Sequence, residues 1–292
     1  MELSNKLKSF LEFDQGHMDP TCFPIHELDI PYFKNQKLDV YLPDYTTTKK
    51  PTVIIIHGGG WISGFKQSKF MKGMIQIVEF GINVVSIDYS LSIDARYPQQ
   101  IIDIKQALCW VENHAEQYHF DLDNLHLWGE SAGAHLALLG GLIQEDNLLH
   151  YSLTQTQHTL KSIIAFYPAI DSTTMSKQLT DLGCTFTSET DINDEDGLIS
   201  LLIGKENFTN PTILAAINPT TYITKEMPRL LLQHGQKDTL VPAQQSIDFY
   251  NTVKERFPQA KITLELFPTA IHTDDQFFTR ENIQRVVDFI NE

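Results

Sequence analysis

The sequence has few cysteines and few basic residues. Its three cysteines, Cys22, Cys109 and Cys184, are widely spaced and form no C-x-x-C pair, which argues against a disulfide scaffold and a structural zinc site. Only 22 Lys and Arg residues stand against 37 Asp and Glu, so the net charge of −15 argues against nucleic-acid and anionic-membrane partners. No apolar run reaches the roughly 18 residues of a membrane-spanning helix, and the polar start resembles no secretory leader. These absences predict a soluble, cytoplasmic protein.

What the chain does contain is a regular alternation of apolar runs and amphipathic stretches. With 42% apolar and 20% charged residues over 292 positions, it can bury one large core. Mostly apolar runs at 53–56, 82–87, 125–128, 162–168 and 230–233 predict buried parallel strands, residues 261–267 predict a further strand, and 25–31 with 37–42 predict two antiparallel edge strands. The stretch 99–117 predicts one long helix, with Asp103, Lys105 and Glu112 on its solvated side. The pattern predicts an α/β fold with a mostly parallel sheet flanked by helices.

Two segments depart from this alternation. Residues 1–25 combine a short amphipathic stretch with a proline-containing loop, and residues 172–226 separate two predicted core strands. A structureless loop of the second length would be unusual in a compact domain. We therefore expect a single domain over 1–292, with an N-terminal arm (1–25) and a cap insertion (172–226) that shapes substrate selection.

A G-x-S-x-G motif, Gly129-Glu130-Ser131-Ala132-Gly133, lies between a predicted strand and a predicted helix. A strand, tight turn and helix in that order form the nucleophile elbow of α/β-hydrolases, where a serine hydroxyl projects above the sheet. At either flanking glycine, a larger side chain would collide with neighbouring backbone. The motif predicts an α/β-hydrolase fold with Ser131 as the nucleophile.

Three consecutive glycines follow the buried run 53–56, in the segment His57-Gly58-Gly59-Gly60-Trp61. Esterases with an HGGG loop use its backbone N–H groups, together with the N–H after the nucleophile, to hold an oxyanion. We expect Gly59, Gly60 and Ala132 to be these donors. His57 precedes the glycines and is expected to brace the loop by hydrogen bonds rather than to act as a base.

A serine nucleophile needs an imidazole base and a carboxylate to orient it, and in this fold the chain order is nucleophile, acid, base. Asp238 follows the run 230–233, and His272 follows the last predicted strand. Since the carboxyl ends of parallel strands meet at one edge of a sheet, we predict that Ser131, Asp238 and His272 form a triad. Asp171, also at a strand end, is the alternative acid, and His234 is the alternative base.

Other titratable residues are expected to have structural roles. His135, inside the helix after the elbow, is predicted to be a core residue. Asp274 and Asp275 are too near His272 in sequence to be its usual partner, and we expect them to solvate the loop or to start the next helix. The remaining histidines lack metal-ligand spacing, so no metal or other cofactor is predicted.

Together these motifs resemble the HGGG-type, hormone-sensitive-lipase-like α/β-hydrolases over about residues 37–290. Within that group, the BD-FAE-like carboxylesterases and the kynurenine formamidases with HGGxW are most similar. The motifs that carry the resemblance are HGGGW, DYSLS, GESAG, HGQKDTLVP and His272. Two positions differ: Tyr89-Ser90-Leu91 replaces the usual Tyr-Arg-Leu, which removes a charge near the core, and His272-Thr273 replaces a common His-Gly.

The resemblance implies hydrolysis of small carboxylic esters through an acyl-enzyme, without a cofactor, by enzymes that are often homodimers. It gives Ser131, Asp238 and His272 the catalytic roles, and Gly59, Gly60 and Ala132 the oxyanion hole. Acetyl, other short acyl and hydroxycinnamoyl esters all remain open as substrates. The alternatives are an arylformamidase that hydrolyses N-formylkynurenine, and a non-catalytic binding protein with a hydrolase fold.

Overall fold

The computed structural model describes residues 5–11, 16–144, 158–186 and 191–292, and its central element is an eight-stranded sheet. In chain order the strands are β1 (His26–Phe33), β2 (Gln36–Tyr41), β3 (Lys50–Ile56), β4 (Asn83–Ile87), β5 (Phe120–Glu130), β6 (Ser162–Phe166), β7 (Arg229–Gly235) and β8 (Ile262–Phe267). Their order across the sheet is β1-β2-β4-β3-β5-β6-β7-β8. Strand β2 is antiparallel to both its neighbours, and the other pairs are parallel. The predicted α/β-hydrolase architecture is confirmed.

Helices cover both faces of this sheet. They are α1 (Asn5–Leu11), α2 (Lys69–Ile75), α3 (Gln99–Asn113), α4 (Ala115–Tyr118), α5 (Ala132–Leu142), α6 (Ser172–Asp181), α7 (Leu198–Ile203), α8 (Pro211–Ala216), α9 (Gln244–Arg256) and α10 (Arg280–Asn291). Strand β3 shows why the predicted strands are continuously apolar. Its Ile54 and Ile56 pack in the core with α3 and α5, whereas Val53 and Ile55 pack in the core with α2 and α10. Because both faces are buried, every position of the run 53–56 is apolar.

The stretch 99–117 is not one helix with a solvated charged side. His114 separates α3 from α4 with φ −110° and ψ 10°. Asp103 is fully buried, and its carboxylate accepts hydrogen bonds from the Ser90 N–H (2.8 Å) and the Gln99 amide (2.7 Å). Lys105 is also buried, and its Nζ donates to the Ile143 carbonyl at 3.0 Å. The prediction for these two residues was wrong, because a buried charge can be stabilised by polar partners that are distant in sequence.

The buried Asp103 contacts the Tyr89-Ser90-Leu91 segment. The Ser90 backbone holds that carboxylate, and the Ser90 hydroxyl accepts a hydrogen bond from the Gln36 amide at 3.1 Å. Asp103 therefore accepts hydrogen bonds from neutral donors, and the Tyr89-Ser90-Leu91 segment offers it no cation.

The two segments outside the regular alternation contain short helices. In the segment 1–25, α1 places Leu7 in the core, whereas residues 1–4 and 12–15 lie outside the described residues. The segment 172–226 contributes α6, α7 and α8 between β6 and β7, and residues 187–190 within it are not described. Met175 and Leu198 of these helices are buried in the same core as α5. These helices therefore pack on the main body next to the elbow helix.

Candidate active site

Ser131 lies in a tight turn between the end of β5 and the start of α5. Its backbone has φ 53° and ψ −120°, a strained conformation that costs on the order of 1–3 kcal/mol for a residue with a side chain. A Cβ on Gly129 would lie 2.1 Å from the carbonyl oxygen of Gly133. A Cβ on Gly133 would lie 2.2 Å from the carbonyl oxygen of Ile56. Both flanking positions therefore require glycine, as the sequence predicted.

The His272 imidazole connects the Ser131 hydroxyl to the Asp238 carboxylate. Ser131 Oγ lies 2.9 Å from His272 Nε2, and His272 Nδ1 lies 2.6 Å from Asp238 Oδ2. The Asp238 side chain is fully buried, whereas that of His272 is 11% exposed. The structure thus brings the three predicted residues into one hydrogen-bonded chain. In this geometry a carboxylate orients an imidazole that can accept the hydroxyl proton.

Asp238 is held in its ionised form by its surroundings. Burial opposes its charge, but the adjacent His272 and His234, through their charges and hydrogen bonds, lower the pKa of the carboxyl below its ordinary value. Its Oδ1 also accepts the N–H groups of Leu240 and Val241, each at 2.9 Å. Hydrogen bonds to the charged form favour that form, so this carboxyl is an acceptor at neutral pH.

The loops that carry the acid and the base are fastened to each other. The Lys237 N–H donates to the Ala270 carbonyl at 3.0 Å, and a Cβ on Gly235 would lie 2.3 Å from that same oxygen. After the base, Thr273 adopts φ 58°, the left-handed conformation that favours glycine. Its hydroxyl donates to the His272 carbonyl at 2.7 Å. The loop therefore keeps the turn that a His-Gly sequence would make, although threonine occupies the position.

The glycine loop, the serine and the start of α5 line one small cavity. Gly60 and Ala132 line this cavity together with the serine. Gly59 and Gly60 have φ 107° and 58°, and the Gly59 carbonyl accepts the N–H groups of Ile62 and Ser63. The Ala132 N–H belongs to the first turn of α5, where N–H groups have no acceptor within the helix. Gly60 and Ala132 are thus placed beside the position that an oxyanion would take.

Glu130 is a candidate functional residue to which the sequence analysis gave no role. Its carboxyl group is buried and accepts a hydrogen bond from the Gly58 N–H. A Cβ on Gly58 would lie 2.3 Å from Glu130 Oε1, so this contact also requires glycine. The available signal was a charged residue inside the G-x-S-x-G motif, soon after the mostly apolar run 125–128. Glu130 joins the elbow to the glycine loop.

Tyr167 is a second residue that the sequence analysis did not select. Its ring packs edge-on against His272, with the ring centroids 4.7 Å apart. Burial and the neighbouring charge of Glu130 raise the pKa of its hydroxyl well above the ordinary value. Tyr167 is therefore neutral, and its ring packs beside the imidazole. In the sequence it was indistinguishable from the apolar residues of its strand.

The buried carboxyl of Glu130 is expected to make stability depend on pH. Burial raises its pKa above the ordinary 4.5, although His272 and the Gly58 hydrogen bond partly oppose this change. The folded state then holds this proton more tightly than the unfolded state. The stability that this tighter proton binding contributes is fully present below about pH 4.5. It is lost as the pH rises through the pKa of Glu130 in the folded state. Glu130→Gln cannot ionise and keeps an oxygen for Gly58.

Urea unfolding of both proteins from pH 4.5 to about 8 measures this effect. With rising pH, the wild type should lose free energy of unfolding relative to Glu130→Gln. Glu281→Gln, at an exposed position of α10, is the matched control and should follow the wild type. Parallel curves for the wild type and Glu130→Gln would contradict the assignment of a raised pKa.

The alternative acid and base have structural contacts instead. Asp171 caps the start of α6, where its Oδ1 accepts the Thr173 N–H at 2.9 Å. His234 is buried, with Nδ1 2.7 Å from Ser246 Oγ and Nε2 2.9 Å from the Val241 carbonyl. Asp274 caps a short 3-10 helix by accepting the N–H of Gln276. These contacts support Asp238 and His272 over their alternatives.

His57 and His135 hold the glycine loop in place. The His57 ring stacks on Tyr89 with centroids 4.2 Å apart, and its Nδ1 lies 2.8 Å from the Gly58 carbonyl. His135 accepts the indole N–H of Trp61 at 3.2 Å and donates to the Ile217 carbonyl at 2.7 Å. Burial lowers the pKa of each ring to about 4. Both histidines are therefore neutral braces at physiological pH.

Within the described ranges, no group of three or more His, Cys, Asp or Glu residues is arranged to hold a metal ion. In the same parts of the chain, no helix has both the length and the apolar character needed to cross a bilayer.

Comparison with known proteins gives consistent matches. Esterase LipQ of Mycobacterium tuberculosis is 29% identical over 252 residues, which cover 85% of this chain and 57% of LipQ. The structure of a truncated carbohydrate esterase from gut microbiota aligns with a TM-score of 0.76 at 24% identity, covering 94% of this chain and 98% of that one. A bifunctional GH43-CE protein of Bacteroides eggerthii aligns with a TM-score of 0.75 at 26% identity, covering 91% of this chain and 35% of that one. The chain thus spans little more than half the length of LipQ.

The model of the BD-FAE family matches residues 38–253, which include the glycine loop, the elbow and Asp238. His272 lies beyond the matched range but completes the hydrogen-bonded chain within the same fold. The resemblance inferred from the motifs is confirmed: the chain belongs to the BD-FAE family of α/β-hydrolases.

Proposed function

We propose that the protein is a serine carboxylesterase that hydrolyses small carboxylic esters through an acyl-enzyme. The observation that carries this proposal is the continuous chain from Asp238 through His272 to Ser131. That chain ends beside the cavity lined by Gly60 and Ala132. Membership of the BD-FAE family, and a relative that is named an esterase, support the same reaction class.

In the first half of the reaction, Ser131 Oγ attacks the ester carbonyl carbon while its proton passes to His272 Nε2. The carbonyl oxygen gains negative charge, and the N–H groups of Gly59, Gly60 and Ala132 stabilise it. Asp238 stabilises the imidazolium that forms. The C–O bond to the alcohol then breaks, and His272 Nε2 donates its proton to the leaving oxygen.

In the second half, His272 accepts a proton from water, which attacks the acyl carbon of the Ser131 ester. A second tetrahedral oxyanion forms and is stabilised by the same N–H groups. It collapses by breaking the bond to Ser131 Oγ, which recovers its proton from His272. The carboxylic acid leaves and the enzyme is restored without any cofactor.

The segment 172–226 is the proposed cap, within one catalytic domain that also includes the arm 1–25. The placement of α6 and α7 in the core beside α5 supports a role in shaping the substrate site. A small-molecule ester is the proposed partner, and a homodimer stays a prediction.

Turnover of p-nitrophenyl acetate, measured beside N-formylkynurenine, tests the proposed function. We expect the ester to have the higher kcat/KM and a fluorophosphonate probe to modify Ser131. A higher kcat/KM on N-formylkynurenine would favour the arylformamidase instead. A folded protein that neither turns over substrate nor reacts with the probe would be a non-catalytic binding protein, which would overturn the proposal.

A further inference from the structure

Trp61, which follows the proposed oxyanion donor Gly60, has a strained backbone. Its φ is 62°, a genuine outlier for a residue with a bulky side chain. Such a conformation persists only where the surrounding contacts hold it. Rotation of this angle toward negative values would turn the preceding peptide unit and, with it, Gly60. The direction of the Gly60 N–H therefore depends on the contacts that hold Trp61.

Trp61 is held by hydrogen bonds at its carbonyl and at its indole ring. The carbonyl accepts the Ser92 N–H at 2.8 Å, and the indole N–H donates to His135 Nδ1 at 3.2 Å. The two rings meet edge-on, with centroids 5.2 Å apart and an angle of 80° between their planes. His135 lies on α5 one turn after Ser131, whose carbonyl accepts the His135 N–H. The elbow helix thus holds the side chain that follows the three glycines.

The partners of the His135 ring determine which nitrogen carries its proton. An indole N–H can only donate, so Nδ1 must be the accepting nitrogen. The Ile217 carbonyl, 2.7 Å from Nε2, can only accept, so Nε2 carries the proton. Burial lowers the pKa of this ring to about 4, which keeps it neutral at physiological pH. In the protonated ring or the opposite tautomer, an N–H of His135 would face the N–H of Trp61.

The same imidazole reaches the proposed cap, because Ile217 ends α8 within the segment 172–226. We propose that His135 is a positioning residue for the oxyanion hole. The Ile217 carbonyl fixes its Nε2–H tautomer, and its Nδ1 holds Trp61 so that the Gly60 N–H faces the oxyanion. His135 acts through Trp61 and takes no part in proton transfer. This role rests on the proposed carboxylesterase function.

Substitutions of His135 separate its two contacts. Glutamine places an amide nitrogen near the position of Nε2, so His135→Gln can donate to Ile217 but offers Trp61 no acceptor. Asparagine places an amide oxygen near the position of Nδ1. His135→Asn can therefore accept the indole N–H, but it leaves the Ile217 carbonyl without this donor. Trp61→Phe removes the indole hydrogen bond from the other side.

His126 provides the matched control. It is also a buried histidine, with Nδ1 2.7 Å from Ser162 Oγ and Nε2 3.0 Å from Asn124 Oδ1. Burial lowers the pKa of its ring to about 3, so it is neutral as well. Its two partners belong to β5 and β6, outside the glycine loop. His126→Gln therefore reports the effect of altering a buried, neutral histidine elsewhere in the fold.

The first measurement is kcat and KM on p-nitrophenyl acetate. His135→Gln should lower kcat by about 10-fold and leave KM within about two-fold, because the misplaced N–H serves only the transition state. Trp61→Phe should lose kcat by a similar factor, and the double variant should be no slower, since both changes remove one hydrogen bond. His135→Asn should recover most of the loss. His126→Gln should keep the wild-type kcat.

The second measurement does not depend on turnover. In ¹⁵N-labelled histidine spectra of the wild type, the signal that His135→Asn removes belongs to His135. Its shifts should be those of a neutral Nε2–H tautomer at pH 7. Thermal unfolding shows whether each variant is folded. If His135→Gln does not fold, Trp61→Phe and these spectra still test the proposal.

The results distinguish this inference from the function on which it depends. Folded His135→Gln or Trp61→Phe with wild-type kcat would overturn the positioning role and leave the esterase intact. Equal losses of kcat in His135→Gln and His135→Asn would also overturn it, because retention of the indole acceptor would then make no difference. A protonated ring or an Nδ1–H tautomer would contradict the proposed contacts. No turnover by the wild type, with no fluorophosphonate on Ser131, would overturn the esterase and the role of His135 together.

Discussion

Replacing Ser131 by alanine is expected to lower kcat on p-nitrophenyl acetate by about 10⁴-fold or more. The Oγ is the atom that forms the acyl-enzyme, and nothing else on the alanine side chain can attack the carbonyl carbon. The fold should survive, because alanine can occupy the same turn and the flanking glycines are unchanged. Steady-state kinetics and the thermal unfolding midpoint measure these two effects separately.

Ser90→Ala is a suitable control for this substitution. Ser90 is half-buried, and its hydroxyl accepts a hydrogen bond from the Gln36 amide, so alanine removes a serine contact outside the catalytic chain. A cost of about 1 kcal/mol in stability is expected. Its kcat should stay near the wild-type value. Near wild-type turnover by a folded Ser131→Ala protein would show that this hydroxyl is not the nucleophile.

The substitution Asp238→Asn is expected to lower kcat by about 10⁴-fold with little change in shape. The reason is the tautomer of His272, whose Nδ1–H donates to Asp238 Oδ2 at 2.6 Å. In the Asp238→Asn protein, the side-chain oxygen can still accept hydrogen bonds from the N–H groups of Leu240 and Val241. The side-chain NH₂ group then points toward His272. An imidazole facing that donor carries its proton on Nε2 and cannot accept the proton of Ser131.

Asp171→Asn is the matched control, because Asp171 also follows a parallel strand and is the alternative acid that the sequence offered. Its side chain caps α6 through Thr173, and asparagine is an equally good capping residue. We expect kcat within about two-fold of the wild type, since its contacts lie outside the catalytic chain. A large loss in Asp171→Asn with full activity in Asp238→Asn would exchange the roles assigned to the two acids.

The sequence was sufficient to place the three residues of the hydrogen-bonded chain. Each follows a strand with a local signal: the glycines that the elbow at Ser131 requires, the apolar run 230–233 before Asp238, and the alternating strand 261–267 before His272. Parallel strands share a carboxyl edge, so the fold itself brings such loops together. At these positions the local sequence pattern and the overall topology agree. For this reason the sequence was enough to predict that these three distant residues lie together.

Residues whose roles depend on distant partners could not be assigned in this way. Asp103 and Lys105 are charged residues in an amphipathic helical stretch and so were placed on its solvated side, but their partners, Ser90 and Ile143, come from other parts of the chain. Glu130 gains its role only when β5 brings it against the Gly58 N–H. Periodicity reports the average polarity of a face, whereas a specific buried contact depends on which loop packs there.

The set of side chains that line the cavity beside Ser131 was equally inaccessible from the sequence. The helices of 172–226 have ordinary apolar spacing, and nothing in that pattern distinguishes Met175, which lines the cavity, from Leu179, which does not. Three-dimensional packing makes this distinction.

Trapping the covalent intermediate tests the central claim most directly. The wild-type enzyme would be mixed with p-nitrophenyl acetate, quenched in acid during turnover, digested and mapped by mass spectrometry. The account predicts an acetyl group on the peptide that contains Ser131, and no acetyl on that peptide in Ser131→Ala. An enzyme that turns over the ester but carries its acetyl group on another residue, or on none, would contradict it.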